Sequence, residues 1–502
     1  MAADGKVEEP GNAAADSAEF DSGGGLWSAE RRALSAGLVL TITFIASEAL
    51  AVVTIMPVVA RDLGGLSLYG WVFSAFMLGS LIGIVTAGRQ ADRYGPARPF
   101  LGGLALFCAG LAIAGAAPTM LVLVCGRALQ GIGAGAVPAV AYVAIGRSLP
   151  ENLRARMMAV LSTAWVVPGM VGPAISAAVA SLAGWRAVFL GLIPLVIVTG
   201  VLALPGLSRL GKHPARDSPP AGRPADQHRL IDGLGAAAGA ALVLAGLTRV
   251  AGDGQVLAGV ALLAVGIAAI AVCLRRLLPA GTFTARRGLP AVILCRGLLT
   301  FTFFGADAYV TLTITTVRHH SPVFAGVAVT GATLAWTAGA WVQARLNTRQ
   351  EARRLVGSGL IVIVIGLAAM AAVLLPAVPV YTGLAAWTVA GFGMGLAYAP
   401  ITLLMLRQAP AGREGWASAS LSLADVLGTA LGIGAGGAAV AAATARGWPL
   451  AAGVGTAFAI AGAGGLLLAL ASRRLPLIHG RGASSSRISG SGPASSSEAA
   501  GV

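Results

Sequence analysis

The sequence predicts an all-α integral membrane protein with about fourteen transmembrane helices: two pseudo-symmetric six-helix bundles with two helices inserted between them. Three observations carry this. First, 56% of the 502 residues are hydrophobic and 11% charged, with a mean hydropathy of +0.81. A soluble domain carries roughly 25% charged residues, so this chain cannot build a water-compatible surface. Second, apolar stretches of about 20 residues, the length that spans a ~30 Å hydrocarbon core, recur along it. Third, the arginines collect on alternate loops.

In order, the predicted spans are 35–58, 69–88, 99–117, 120–144, 158–180, 186–205, 230–248, 256–274, 291–316, 323–344, 355–375, 380–406, 416–443 and 449–471. The division that follows is a tail 1–33, a bundle 34–205, a linker 206–229, an inserted pair 230–276, a bundle 277–472 and a tail 473–502. Both tails are rich in Gly, Ser and Ala, with too little apolar surface to order themselves. The linker GLSRLGKHPARDSPPAGRPADQHR is polar and Pro-rich. Residues 1–25 are acidic and small, unlike the basic start of a signal peptide. The first apolar helix is expected to direct insertion itself.

With the N-terminus inside, 29 Lys and Arg fall on cytoplasmic segments, Arg296 being counted in the loop before the ninth span. Five face outward (Arg61, Arg186, Arg249, Arg318 and Arg446), and Arg127 lies within the fourth span. Cytoplasmic loops of membrane proteins collect Lys and Arg, so this split supports both orientation and count. Both termini are then cytoplasmic in a multi-pass protein of the cell membrane. Removing spans seven and eight together would preserve the split, which keeps twelve helices open. The same rule explains the net charge of +15 without nucleic acid. Only Lys6 and Lys212 are lysines, a bias that points to a GC-rich bacterial genome. Cys108, Cys125, Cys273 and Cys295 fall in or beside apolar segments and read as small buried hydrophobes.

An internal repeat supports the two bundles. FIASEALAVVTIMP at 44–57 matches FFGADAYVTLTITT at 303–316, setting Glu48 against Asp307. GIGAGAVPA at 131–139 matches GFGMGLAYAP at 391–400, and Gly184-Trp185 matches Gly447-Trp448. The offset is about 260 residues throughout, and repeats of this kind place the working site at the midplane between the halves.

The loop after span two reads Gly88-Arg-Gln-Ala-Asp92-Arg93-Tyr-Gly95-Pro-Ala-Arg98. It resembles the loop signature of the major facilitator superfamily, G-x-x-x-D-R-x-G-x-x-R/K. Arg127-Ala-Leu-Gln130-Gly131-Ile-Gly133-Ala-Gly135 is similar to the family's R-x-x-Q-G-x-G-x-G. Gly169-Met-Val-Gly172-Pro173-Ala-Ile-Ser176-Ala177 resembles its antiporter motif, with Ser-Ala replacing Gly-Gly and Pro168 replacing a Gly. Glu48, nine residues before Pro57, stands where the fourteen-helix drug:proton antiporters have an Asp, while that motif's Thr and Asn are Leu50 and Val53 here. The resemblance covers roughly 35–471. It implies the major facilitator fold, a loop in which Gly88, Asp92, Arg93, Gly95 and Arg98 latch the halves, and a kink at Gly172-Pro173 that serves gating.

Three acids lie inside spans. At 1.5 Å per residue, Glu48 and Arg127 both sit ~20 Å from the cytoplasmic side, Asp307 ~25 Å and Asp425 ~15 Å. Charged residues in a bilayer are expensive and pair inside the bundle, so an Arg127–Glu48 interaction is expected. Burial disfavours a charged carboxylate and a nearby cation favours it, which is the physical basis of proton-coupled exchange. Glu48 and Asp307 are therefore predicted as the coupling or cation-sensing pair, with Arg127 tuning Glu48; hydrogen bonding to a neighbouring helix is the plainer role, most of all for Asp425. Gln130, Trp165, Trp336 and Trp387 are cavity candidates, although intramembrane Trp more often packs or anchors. His319-His320, in an outer loop, reads as solvated rather than as a metal site.

Gly206-Leu-Ser-Arg-Leu-Gly211-Lys212-His213 mimics a phosphate loop, but His stands where Ser or Thr would hold Mg²⁺, and a membrane helix precedes it. No metal or cofactor is expected, energy coming from a proton gradient. No hydrolase constellation is present, so an enzyme is not expected either. The predicted function is proton-coupled efflux of lipophilic or cationic small molecules such as drugs, the protein acting as a monomer in the lipid bilayer with small-molecule substrate and protons as partners. Proton symport of a nutrient, or export of a lipid or metabolite, remains open on the same scaffold; a transport-inactive receptor or intramembrane enzyme fits the repeat and loop motif least.

Overall fold

A computed structural model describes residues 26–28, 31–149, 151–164, 166–209, 224–252, 255–346, 351–410 and 413–476. Most of the two tails and of the linker, together with Trp165, lie outside the described residues. The described chain is helical throughout: α1 (Arg32–Leu63), α2 (Tyr69–Tyr94), α3 (Ala97–Gly115), α4 (Met120–Ser148), α5 (Glu151–Thr163), α6 (Val166–Ala183), α7 (Trp185–Arg209), α8 (Pro224–Gly252), α9 (Val256–Leu277), α10 (Leu289–Leu312), α11 (Pro322–Leu346), α12 (Ala352–Ala372), α13 (Tyr381–Gln408), α14 (Glu414–Ala445) and α15 (Leu450–Ser472). Fourteen helices are long and apolar enough to cross a membrane, the short α5 being excluded. A π-helical turn, Thr313–Val317, extends α10.

One predicted span differs. The run at 158–180 is divided between α5, which ends at Thr163 with a turn at Ala164, and α6, which starts at Val166. Pro168 supplies the cause: it has no N–H to give the Ala164 carbonyl, and its ring crowds that carbonyl. Elsewhere boundaries fall where turn residues place them. Gly95 ends α2 with φ +80°, and Gly184 and Gly447, matched in the repeat, take φ +81° and +65° before α7 and α15, a conformation that costs glycine little.

The repeat reappears as packing. A Cβ on Gly131 would strike the Phe76 carbonyl where α4 crosses α2, and one on Gly391 the Ala332 carbonyl where α13 crosses α11. Gly135 and Gly395 meet the Ser80 and Trp336 carbonyls in the same way. Without a hydrophobic force between helices in lipid, such close backbone approach supplies the packing energy. The inserted α8 lies against both α2 and α14: Trp71 Nε1 donates to Thr248 Oγ1 at 3.2 Å, and Gly434 abuts Leu244. The second inserted helix, α9, packs on α8, with Gly239 against Gly266 and Gly246 against Gly259.

The halves touch mainly toward the arginine-poor end. Tyr69 OH donates to the Ala308 carbonyl at 3.0 Å, Thr311 Oγ1 to the Val53 carbonyl at 2.8 Å and Ser74 Oγ to the Ala430 carbonyl at 2.9 Å. Gly70 faces Gly437 backbone to backbone and lies against Tyr309 OH, which donates to the Ile433 carbonyl within the C-terminal half. Toward the arginine-rich end, by contrast, a Cβ on Gly88 of α2 or Gly415 of α14 would meet nothing within 4 Å.

Candidate functional site

In the N-terminal bundle, Arg127 of α4 is buried at 2% exposure and Glu48 of α1 at 0%. Arg127 Nη1 donates to Glu48 Oε1 and, at 2.7 Å, to Gln130 Oε1, while its Nε reaches the Val72 carbonyl at 3.3 Å. The Phe76 ring covers the guanidinium, with 4.1 Å from Cζ to the ring centroid. Glu48 Oε2 and Gln130 Nε2 are buried and have no hydrogen-bond partner among the described residues. An orphaned pair of this kind in a buried charge network is uncommon and calls for a functional explanation. Gln130 is thus part of the charge network.

In the C-terminal bundle, Trp387 Nε1 of α13 donates to Asp307 Oδ1 of α10 at 2.7 Å. Phe303 stacks on Trp387 with centroids 5.2 Å apart and meets Trp336 edge-on at 5.7 Å. Trp387 is buried, whereas Asp307 and Trp336 keep accessible surface. Of the three predicted cavity tryptophans, Trp336 therefore lines an accessible space and Trp387 holds an acid. Glu48 and Asp307 form separate sites, each partnered within its own bundle.

Arg296 corrects the loop assignment. It lies inside α10, its side chain 6% exposed, and donates from Nε to Asp425 Oδ1 of α14 at 2.8 Å. Tyr398 OH of α13 donates to Asp425 Oδ2 at 3.1 Å, and Arg296 Nη1 to the Tyr398 carbonyl at 3.0 Å. The signal was available: the predicted span begins at 291, so Arg296 is an intramembrane cation that requires a partner.

The gating candidates are partly placed. Arg93 and Arg98 are exposed, Gly95 makes the turn, and Asp92 lies on the last turn of α2 with its side chain outside the described residues. Pro173 is buried in α6 with its carbonyl facing Gly326 of α11, while Gly172 borders open space. The ring of His320 lies 5.2 Å from Phe324 and 6.5 Å from Tyr381, so aromatic rings rather than water alone surround it.

Comparison with known proteins agrees with this geometry. The family model described as Major Facilitator Superfamily matches residues 36–288. A probable multidrug-efflux transporter of Mycobacterium tuberculosis is 28% identical over 437 residues, covering 84% of this chain and 90% of that protein. Multidrug resistance protein 3 of Bacillus subtilis is 33% identical over 153 residues, about 30% of each chain. Among solved structures, a bacterial homolog of the human lysosomal transporter Spinster aligns with a TM-score of 0.62 at 14% identity, covering 89% of this chain and 98% of that one. A POT family transporter aligns with a TM-score of 0.62 at 15% identity, covering 87% and 97%; both likenesses concern the fold. With fourteen membrane-length helices, a repeat expressed in packing and a family match over half its residues, the chain belongs to the major facilitator superfamily of membrane transporters.

Proposed function

We propose that this transporter exports lipophilic or cationic small molecules in exchange for protons, by alternating access between the bundles of residues 34–205 and 277–472. The observation that carries the reading is Asp307: a carboxylate deep in the C-terminal bundle, accessible, ringed by Phe303, Trp336 and Trp387, and held by a neutral indole donor. Aromatic faces attract cations, and an acid with no cationic partner among the described residues binds either a proton or a positively charged substrate. That alternative occupancy is the essence of exchange. Glu48 contributes differently, its Oε2 being the atom a proton would occupy while Arg127 holds Oε1. The drug-efflux names of the relatives support export.

With the arginine-rich face in the cytoplasm, contacts concentrated at the opposite end correspond to an inward-facing state. The energy source in this reading is the proton gradient, and both termini are cytoplasmic. Purified protein in proteoliposomes, with an imposed pH gradient and a fluorescent lipophilic cation, tests it. Gradient-dependent dye movement that stops in Asp307→Asn is expected. Proton movement without dye movement would instead favour symport or metabolite export, and dye movement indifferent to the gradient would sink proton coupling.

A further inference from the structure

A row of aromatic rings joins the two acids of the C-terminal bundle. Trp387 holds Asp307 and stacks on Phe303, Phe303 meets Trp336, and Trp336 meets Tyr398 with centroids 5.3 Å apart. Tyr398 in turn donates to Asp425. Phe303 and Trp387 are the buried backing, while Asp307, Trp336, Tyr398 and Asp425 keep accessible surface.

The two ends of the wall differ in charge. Among the described residues Asp307 has a neutral donor and no cation to compensate its charge. Asp425 is neutralised by Arg296, yet its side chain is 26% exposed. A second cation there would meet the guanidinium, whereas an uncharged N–H or O–H can hydrogen-bond the carboxylate without bringing further charge into the bundle. Along the membrane normal the ends lie ~10 Å apart by helical rise, the length of a three-ring aromatic system.

We infer that the Arg296–Asp425–Tyr398 cluster is the second pole of the substrate site, selecting flat aromatic monocations that carry an uncharged hydrogen-bond donor away from their positive charge. The inference rests on the reading that this chain transports cations. A hydrogen bond to a charged acceptor gives roughly tenfold or greater discrimination.

The test uses the full chain in proteoliposomes with two permanently charged dyes, ethidium and its analogue lacking both ring amino groups. Wild type should take up ethidium with a half-saturation concentration at least about tenfold lower. In Asp425→Asn that ratio should fall to within roughly threefold, because an amide accepts more weakly than a carboxylate. Tyr398→Phe keeps the ion pair and frees Asp425 Oδ2, so the ratio should hold or rise, which a purely structural role for the cluster does not foresee. This variant carries the test alone if Asp425→Asn fails to accumulate. A wild-type ratio near one, a ratio intact in Asp425→Asn, or a ratio lost in Tyr398→Phe would each overturn the inference. Transport of both dyes surviving in Asp307→Asn would instead overturn the cation reading beneath it.

Discussion

The two bundles place an acid at matched positions, Glu48 on α1 and Asp307 on α10, and give each a partner from matched positions on α4 and α13. In the N-terminal bundle that partner is Arg127 and in the C-terminal bundle Trp387. The offset is again about 260 residues, so the same repeated position carries two chemistries. A guanidinium allows Glu48 to be fully buried as an ion pair. An indole N–H gives one hydrogen bond and no charge, and Asp307 keeps accessible surface. Near-identical scaffolds thus hold a closed charge pair on one side and an available acid on the other.

Removing the compensation should have the largest effect. Arg127→Ala leaves Glu48 buried without a counterion and should cost about 3–5 kcal/mol of stability, read as a lower melting temperature in detergent. Adding Glu48→Gln should recover a large part; no recovery would show that Arg127 matters for packing rather than charge. Making the halves alike comes next. Trp387→Arg places a guanidinium beside Asp307 and should reduce cationic dye transport by more than about tenfold, with the bundle still folded. Undiminished transport would break the comparison.

Smaller effects probe the shared scaffold. Gly131→Ala and Gly391→Ala each drive a methyl group into a facing carbonyl and should destabilise by about 1–3 kcal/mol, to similar extents. Gly88→Ala, facing open space, should change detergent stability by less than about 0.5 kcal/mol. Unequal effects at the first two sites would mean the repeat is not energetic. Smallest is the seam between the halves: Tyr69→Phe or Thr311→Val removes one hydrogen bond of about 1 kcal/mol. In a cysteine-free background, labelling of a cysteine at Ala308 from the arginine-poor side should rise about fivefold. An unchanged rate would remove these contacts from the gate.

Much of this was legible before any fold was known. Hydropathy located all fourteen crossings, because in lipid a backbone must satisfy itself as a helix of fixed length. Glu48, Arg127 and Asp307 stood out as charges inside apolar runs. Arg296 was misassigned because it follows four loop arginines, Arg275, Arg276, Arg286 and Arg287, and was counted with them. The break at Ala164 was missed because the apolar run continues through Pro168 and hydropathy does not register a lost hydrogen bond.

By itself, then, the sequence located fourteen stretches long enough to cross, the alternation of arginine-rich and arginine-poor loops and the segments that repeat, since apolar length, arginine placement and residue spacing are properties of the chain read in one dimension. Only the tertiary structure decided that Glu48 meets a cation and Asp307 an indole, that Asp425 meets Arg296, and that the halves join at the arginine-poor end. Those outcomes depend on how each helix is rotated and where it crosses its neighbours, and that is fixed by close packing of residues far apart in the chain.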